Sequence, residues 1–461
     1  MHIPILPDIV IILGLSVLII VLFHKLRLPS VLGLLITGVI VGPHGLNLIT
    51  SEHGVELLAE IGIIFLLFVI GIEFSLKSLY SIKETVFFGG LMQVGGTIGL
   101  VALVTYLFGI PFQSAVFLGF LLALSSTAIV LKMLQEKGEL TSPHGRISVG
   151  ILIFQDIIVV LLMLFTPILA GQSANPAMSL LWLFVKVIII IIAIYVLARY
   201  VIPVIFKWIA KTKIRELYII TPIAICFATA WLTNHMGLSL ALGAFFAGLI
   251  ISESDYNHQA AAYILPFREI FISFFFVSVG MLLDLSFFIE HILLIHVITI
   301  GVIVLKMLII GITVLLLRYP ARTVFLTALA IFQVGEFSFL LSTIGMQYDL
   351  LSVEIYQYFL AISIISMGAT PFLINYSPQI TNYFTQIGIP ARVKSRLRAI
   401  ARIRANEKKE EKDWQDHLVI IGFGINGENV AKAARRAKIP YVVVEIDPMV
   451  MQAAKAAGEP V

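Results

Sequence analysis

The chain has 461 residues, 59% of them hydrophobic and 13% charged, against roughly a quarter charged in an ordinary soluble domain. No core of that size hides so much apolar surface, which excludes a soluble globular protein and makes bilayer hydrocarbon the solvent for most of the chain. The net charge of +4 means little until its 31 Lys and Arg are placed, and one cysteine, Cys226, excludes an intrachain disulfide framework and a cysteine-rich metal site.

From Ile5 to about Tyr376 apolar runs follow one another, each near the roughly 20 residues that cross a bilayer as a helix. Thirteen spans are predicted, at 5–24, 30–48, 54–74, 85–108, 113–134, 147–170, 179–206, 214–234, 238–252, 265–283, 291–317, 323–346 and 352–376. No small-residue cleavage site follows the first, which argues against a signal peptide. Lys and Arg follow only the odd-numbered spans: Lys25 and Arg27, Lys77 and Lys83, Lys132, Lys137 and Arg146, then Lys207 to Arg215, Arg268, and Arg318 with Arg322. Cytoplasmic loops collect positive charge, so the N-terminus is expected outside and the C-terminus in the cytoplasm of a bacterial or archaeal cell.

The third span ends Phe65 to Phe74 (FLLFVIGIEF) and the tenth ends Phe274 to Asp284 (FFFVSVGMLLD), with an aromatic run, a glycine (Gly71, Gly280) and an acid (Glu73, Asp284) in one order. Seven spans separate them, an odd offset that makes the copies cross in opposite directions. The expected fold is an all-α polytopic membrane protein with inverted six-helix repeats, unless the match is a coincidence of a Phe- and Gly-rich sequence. Seven spans also separate Ser125-Ser126-Thr127 in the fifth span from Gln333 to Ser338 (QVGEFS) in the twelfth. Such residues unwind helices and expose carbonyls and half-helix dipoles at the midplane, so two crossed broken helices are expected; close helix packing is the plainer use of small residues.

Most charges lie at span ends, where snorkelling makes them inexpensive. Asp156, Lys306 and Glu336 lie near the centres of the sixth, eleventh and twelfth spans, where each charge costs about 3 kcal/mol unless a cavity or a partner receives it. A carboxylate able to hold either a proton or a desolvated monovalent cation is the simplest exchanger, and Asp156 is the choice. Lys306 is expected as its ammonium partner, which an incoming cation displaces. Gln155 is expected to add a neutral oxygen ligand, pointing to one cation per proton. A structural Asp156–Lys306 pair, or a structural role for Glu336, stays open. Oxygen ligands suit Na⁺ or K⁺ and leave the choice to cavity size.

A basic linker is expected over 377–416, and the chain then turns soluble in character. His417 to Ile421 reads as a strand, followed by Gly422-x-Gly424-x-x-Gly427, a helix from Glu428 to Lys438 and a second strand, Tyr441 to Asp447. Gly422 permits the turn, Gly424 admits a pyrophosphate, Gly427 lets helix meet strand, and Glu445 is placed for a ribose hydroxyl. Residues 417–461 are thus expected to be the start of an α/β Rossmann-like domain, a truncated nucleotide site for AMP or NAD(H) too short to complete its fold.

This constellation resembles the monovalent cation:proton antiporter-2 family, in its Kef-type potassium efflux branch. The resemblance covers nearly the whole chain and rests on Phe154-Gln155-Asp156, Ala123 to Thr127, Ser239 to Gly248 and Gly335-Glu336-Phe337. It implies a transporter rather than an enzyme, with a core domain of crossed broken helices, a dimerisation domain, homodimer assembly and elevator-type alternating access. It carries over Asp156 as ion and proton site, with Gln155 beside it and Lys306 as the midplane lysine. K⁺ is favoured over Na⁺, transport needs no cofactor, no nucleic-acid partner is expected, and the C-terminal part is similar to a regulatory domain of potassium conductance. Glutathione-gated relatives have an acidic segment where this chain reads His258 to Ile264 (HQAAAYI), which argues against glutathione gating. A nucleotide-regulated potassium channel is the first rival, although no TVGYG-like filter is visible; a membrane-bound NAD-dependent oxidoreductase is the second.

Overall fold

The computed structural model describes residues 5–73, 83–171, 200, 204, 208, 211–212, 214–235, 239–252, 257–386, 417–445, 454 and 458–460. Two compact units divide the chain, residues 1–397 and 398–461.

The first unit is helical. In chain order its described helices are α1 (Leu6–Lys25), α2 (Ser30–Val41), α3 (Glu52–Glu73), α4 (Lys83–Leu107), α5 (Phe112–Ala123), α6 (Thr127–Glu136), α7 (Pro143–Leu169) and α8 (Arg215–His235). There follow α9 (Leu240–Ser252), α10 (Asn257–Met281), α11 (Leu285–Glu290), α12 (Ile292–Leu316), α13 (Ala321–Ala330), α14 (Glu336–Gln347) and α15 (Val353–Gln386). Among the described residues nine helices are long and apolar enough to cross a membrane, and α2, α9 and α13 are shorter apolar helices. The predicted seventh span falls almost wholly outside the described residues.

The expected linker start at 377 is corrected, because α15 continues to Gln386 through Pro371 and Pro378. Hydropathy marks where hydrocarbon ends, whereas backbone hydrogen bonding carries on. Pro378 cannot donate to the carbonyl of Ile374. That oxygen instead accepts from Ser377 Oγ at 2.8 Å and Lys137 Nζ at 2.5 Å, which lets the helix pass the proline with its acceptor satisfied.

The helices pack in two sets. α1, α2, α3, α8, α9 and α10 form one group through pairwise contacts, and α4, α5, α6, α7, α12, α13, α14 and α15 form the other, with the short α11 beside α12 and α15. Each set draws equally on the helices before and after the predicted seventh span. Glycines set the closest approaches. A Cβ on Gly71 of α3 would lie 2.3 Å from Phe245 O of α9, beside Gly248; one on Gly280 of α10 would lie 2.1 Å from Leu35 O of α2, beside Gly38. In span order these are third on ninth and tenth on second, the same contact seen twice under a seven-span offset. The acid of the repeat has a local use in the second copy: Asp284 caps α11, accepting from Ser286 N at 2.8 Å and Phe287 N at 3.2 Å. Glu73's side chain and Phe74 lie outside the described residues.

In the second unit β1 (Leu418–Ile421) and β2 (Tyr441–Val444) pair in parallel, Leu418 opposite Tyr441, with α16 (Ile425–Arg436) connecting them. Ile420, Ala431, Ala434, Tyr441 and Val443 close a small core. Gly422 turns at φ 86°, a left-handed conformation that glycine adopts without strain. A Cβ on Gly427 would sit 2.0 Å from Gly422 O, so the glycines serve the strand-to-helix turn.

Gly280→Val should lower the thermal midpoint in detergent, at a cost of about 2 kcal/mol or more from overpacking. Gly301→Val on α12, where a Cβ meets nothing within 4 Å, should leave it unchanged. Equal midpoints for the two variants would contradict the packing role of the α2–α10 glycines.

Candidate ion site at the helix crossing

α5 stops at Ala123 and the chain runs extended through Leu124, Ser125 and Ser126 before α6 begins at Thr127. α13 stops at Ala330, and residues 331–335 lead to α14 at Glu336. Both breaks fall where serines and glycine compete with or weaken helical hydrogen bonding. The two interruptions cross. Gly335 N donates to Leu124 O at 3.2 Å, Ser125 Oγ donates to Ile331 O at 2.8 Å, and Ser338 Oγ to Leu121 O at 2.6 Å. A Cβ at position 335 would lie 2.4 Å from Ser125 C and O, so glycine is required here by proximity.

Four helix ends meet at this crossing. The C-terminal ends of α5 and α13 present carbonyl oxygens, and the N-terminal ends of α6 and α14 present amide hydrogens, each pair equivalent to partial charge of one sign. Lys306 Nζ, fully buried, donates to Leu124 O at 2.9 Å, Gln333 O at 2.7 Å and Ser125 Oγ at 3.1 Å. Those bonds use the three hydrogens of an ammonium. The expected partnership of Lys306 with Asp156 is therefore corrected: the cation serves the carbonyl ends. Glu336, in the first turn of α14, accepts from Ser126 Oγ at 2.5 Å and faces the amide of Ala128 in α6. One carboxylate thus lies at both amide ends.

Gln155 is also used differently from the expected ligand role. Its Oε1 accepts from Ser125 N and its Nε2 donates to Gln93 Oε1, each at 2.7 Å. Gln93 Nε2 in turn donates to Ala123 O at 3.1 Å. Two fully buried amides thereby tie the α5 break to α4 and α7. Gln93 was missed in the sequence; its signal is a mid-span amide in the fourth predicted span, costly in hydrocarbon unless hydrogen-bonded.

Asp156, one residue on in α7, accepts from Thr127 Oγ1 at 2.9 Å through Oδ1 and 3.1 Å through Oδ2. Thr127 opens α6, so the carboxylate lies by the positive end of a half-helix. Both residues are half-buried, and the next residue, Ala128, is exposed. Ala128 and Ile129 line a cavity of about 620 Å³ whose other walls include the α1–α2 turn and α15. The predicted residues Ser125, Ser126, Thr127, Gln155, Asp156, Lys306 and Glu336 are thus brought together. Gly422, Gly424, Gly427 and Glu445 belong to the second unit, where Glu445 Oε2 accepts from Phe423 N at 2.5 Å.

The family described as "Sodium/hydrogen exchanger, transmembrane" matches residues 11–375. A protein of Alkalimonas amylolytica named as a K(+) efflux antiporter, KefB, is 33% identical over 452 residues, 97% of this chain and 67% of that protein. The glutathione-regulated potassium-efflux system protein KefC of Escherichia coli is 30% identical over 437 residues, 95% of this chain and 68% of that protein. In fold the chain is similar to the sodium proton antiporter MjNhaP1 from Methanocaldococcus jannaschii, with a TM-score of 0.57 at 17% identity, over 81% of this chain and 97% of that one. The chain belongs to the sodium/hydrogen exchanger family, in its Kef-type, monovalent cation:proton antiporter-2 branch.

Gln155→Ala removes the acceptor of Ser125 N and strands the Gln93 amide, and each buried group left unpaired costs about 1–3 kcal/mol. The variant should unfold at lower temperature than the wild type. An unchanged midpoint combined with weakened cation binding would return Gln155 to the ligand role.

Proposed function

From that membership we propose that the chain exchanges a monovalent cation for a proton across a bacterial inner membrane, with K⁺ favoured over Na⁺. The observation that carries the reading is the Asp156 carboxylate held by Thr127 at the opening of α6, beside two crossed broken helices. A carboxylate there attracts a cation or takes a proton, and one site that holds either species couples two opposed fluxes. Thr127 Oγ1 orients the carboxylate, whose own oxygens receive the cation as it sheds water, because the carbonyl ends of α5 and α13 are held by Lys306. Lys306 and Glu336 keep the four helix ends neutral whichever species is bound, so the step needs no rearrangement of the crossing.

One carboxylate beside a neutral amide supports exchange of one cation per proton, hence an electroneutral cycle. The division of helices into two sets supports elevator-type access, in which the set carrying the crossing moves against the other. The cavity reaching Ala128 supports an inward-facing arrangement. K⁺ preference draws on the names of the two potassium-efflux relatives. The predicted loop charges support an N-terminus outside and a C-terminus in the cytoplasm, and the family resemblance supports assembly as a homodimer. The βαβ unit, with Gly424 at the N-terminus of α16, is proposed as the opening of a regulatory domain for AMP or NAD(H), Glu445 taking a ribose hydroxyl.

Proteoliposomes loaded with a pH-sensitive dye test this. The wild type should move protons when K⁺ is added, less so with Na⁺ and not with choline, at a rate independent of imposed membrane potential. Asp156→Asn, which cannot titrate, should reduce K⁺-driven proton movement to the rate of empty vesicles. Retained exchange in that variant would move the proton site elsewhere, and a potential-dependent rate would refute electroneutrality.

A further inference from the structure

The cavity of about 620 Å³ that reaches Ala128 is the opening through which the proposed exchange loads from the cytoplasm, and its walls carry charge of the cation's own sign. Ala128, Lys132 and Glu136 follow at intervals of four on α6, all three exposed and all three lining the cavity. Residues four apart share a helix face and lie about 6 Å apart along its axis, so one face of this half-helix walls the route outward from Thr127. Along that face the first ionisable side chain beyond the Asp156 site is Lys132, and Glu136 comes one turn later.

Lys25 and Arg27 line the same cavity from the α1–α2 turn. That turn is closed by Leu28 N donating to Phe23 O at 2.8 Å, and Arg27 sits in it at φ 58°, so backbone bonds set its place. Among the described residues no ion pair includes Lys25, Arg27, Lys132 or Glu136. Lys137 also lines the wall, but it donates to Ile374 O and is occupied with α15. Positive charge at cytoplasmic span ends is ordinary in membrane proteins; what sets these three cations apart is that they line the route itself. Three cations against one carboxylate leave the mouth at a positive potential, which low-dielectric walls focus.

We propose that the charges of this mouth set the affinity of the inward-facing site for its cation: Lys132, Lys25 and Arg27 hold it low, and Glu136 opposes them. The inference rests on the reading of Asp156 as the exchange site. The three cations keep the K⁺ concentration beside Ala128 below that of the bulk, so Asp156 fills from this side only where K⁺ is abundant. The repulsion depends on charge and not on ionic size, so it acts on Na⁺ and K⁺ by the same factor. These side chains act through the field in the cavity and not as ligands of the bound ion. Salt weakens that field, with a Debye length of about 10 Å at 0.1 M.

Inside-out membrane vesicles from cells lacking their own exchangers test this, because an added cation then meets the cytoplasmic face. Proton movement is followed with a pH-sensitive dye as K⁺ or Na⁺ is titrated, at low ionic strength and again with choline chloride, with Asp156→Asn vesicles as the baseline. Lys132→Gln should lower the KM for both cations by one common factor and leave the maximal rate near that of the wild type. Adding Lys25→Gln and Arg27→Asn, asparagine tolerating the left-handed turn, should bring the fall to about threefold or more. Glu136→Gln should raise the KM, and Lys132→Arg should keep the wild-type value. Choline chloride should lower the KM of the wild type towards that of the combined variant. An unchanged KM in the charge variants, a shift for one cation only, or a fall in Glu136→Gln overturns the proposal. Should the variants not fold, the wild type alone decides, since a KM indifferent to choline chloride contradicts a field in the mouth. A wild type no different from the Asp156→Asn baseline refutes the exchange reading itself, and this inference with it.

Discussion

Everything in the membrane unit is arranged around one electrostatic problem, two helices broken in mid-membrane and crossing at Gly335 and Ser125. Breaking a helix in hydrocarbon leaves carbonyls and amides with no water to receive them, at several kcal/mol for each unsatisfied group. Lys306 meets the carbonyl ends and Glu336 the amide ends. Neither charge would be stable there alone, and neither pair of helix ends would be. Burial of the lysine and the glutamate is therefore explained by the break, and the break by the function proposed for Asp156.

The same logic says what each neighbour does. Gly335 is small because another backbone passes where a side chain would be. Gln155 and Gln93 hold the extended segment to α7 and α4, which fixes the position of Thr127 and, through it, the Asp156 carboxylate. In the first helix set Gly38, Gly71, Gly248 and Gly280 do related work between continuous helices, letting backbones approach where no polar group needs satisfying.

Much of this was legible in the sequence because hydrocarbon makes polar residues conspicuous. Asp156, Lys306 and Glu336 stand out by cost alone, and the seven-span offset singles out the Ser125 to Thr127 run together with Gln333 to Ser338. What stayed hidden was pairing. Cost places a charge in the interior without naming its partner, so Lys306 was assigned to Asp156 when its hydrogens go to Leu124, Ser125 and Gln333. Gln155 drew a ligand role from adjacency to Asp156, although successive helix residues point about 100° apart and its amide faces Ser125. Gln93, a neutral amide with no charge to advertise it, was passed over. The end of α15 was misplaced because hydropathy reports the solvent of a helix and not its length. In the second unit the glycine spacing was readable, since only glycine fits the Gly422 turn and the Gly427 contact.

The central claim is that one carboxylate, Asp156, trades a proton for the cation while Lys306 and Glu336 stay bound to the crossing. Its most direct test is calorimetric titration of K⁺ into the purified protein in two buffers of different ionisation enthalpy, which counts protons released on binding. At a pH low enough for Asp156 to be protonated before K⁺ arrives, up to about one proton should be released per K⁺ in the wild type, fewer as the pH rises, and none in Asp156→Asn. Undiminished release in Asp156→Asn, abolished instead by Glu336→Gln or Lys306→Met in a folded protein, would contradict it and place the exchanging proton within the crossing itself.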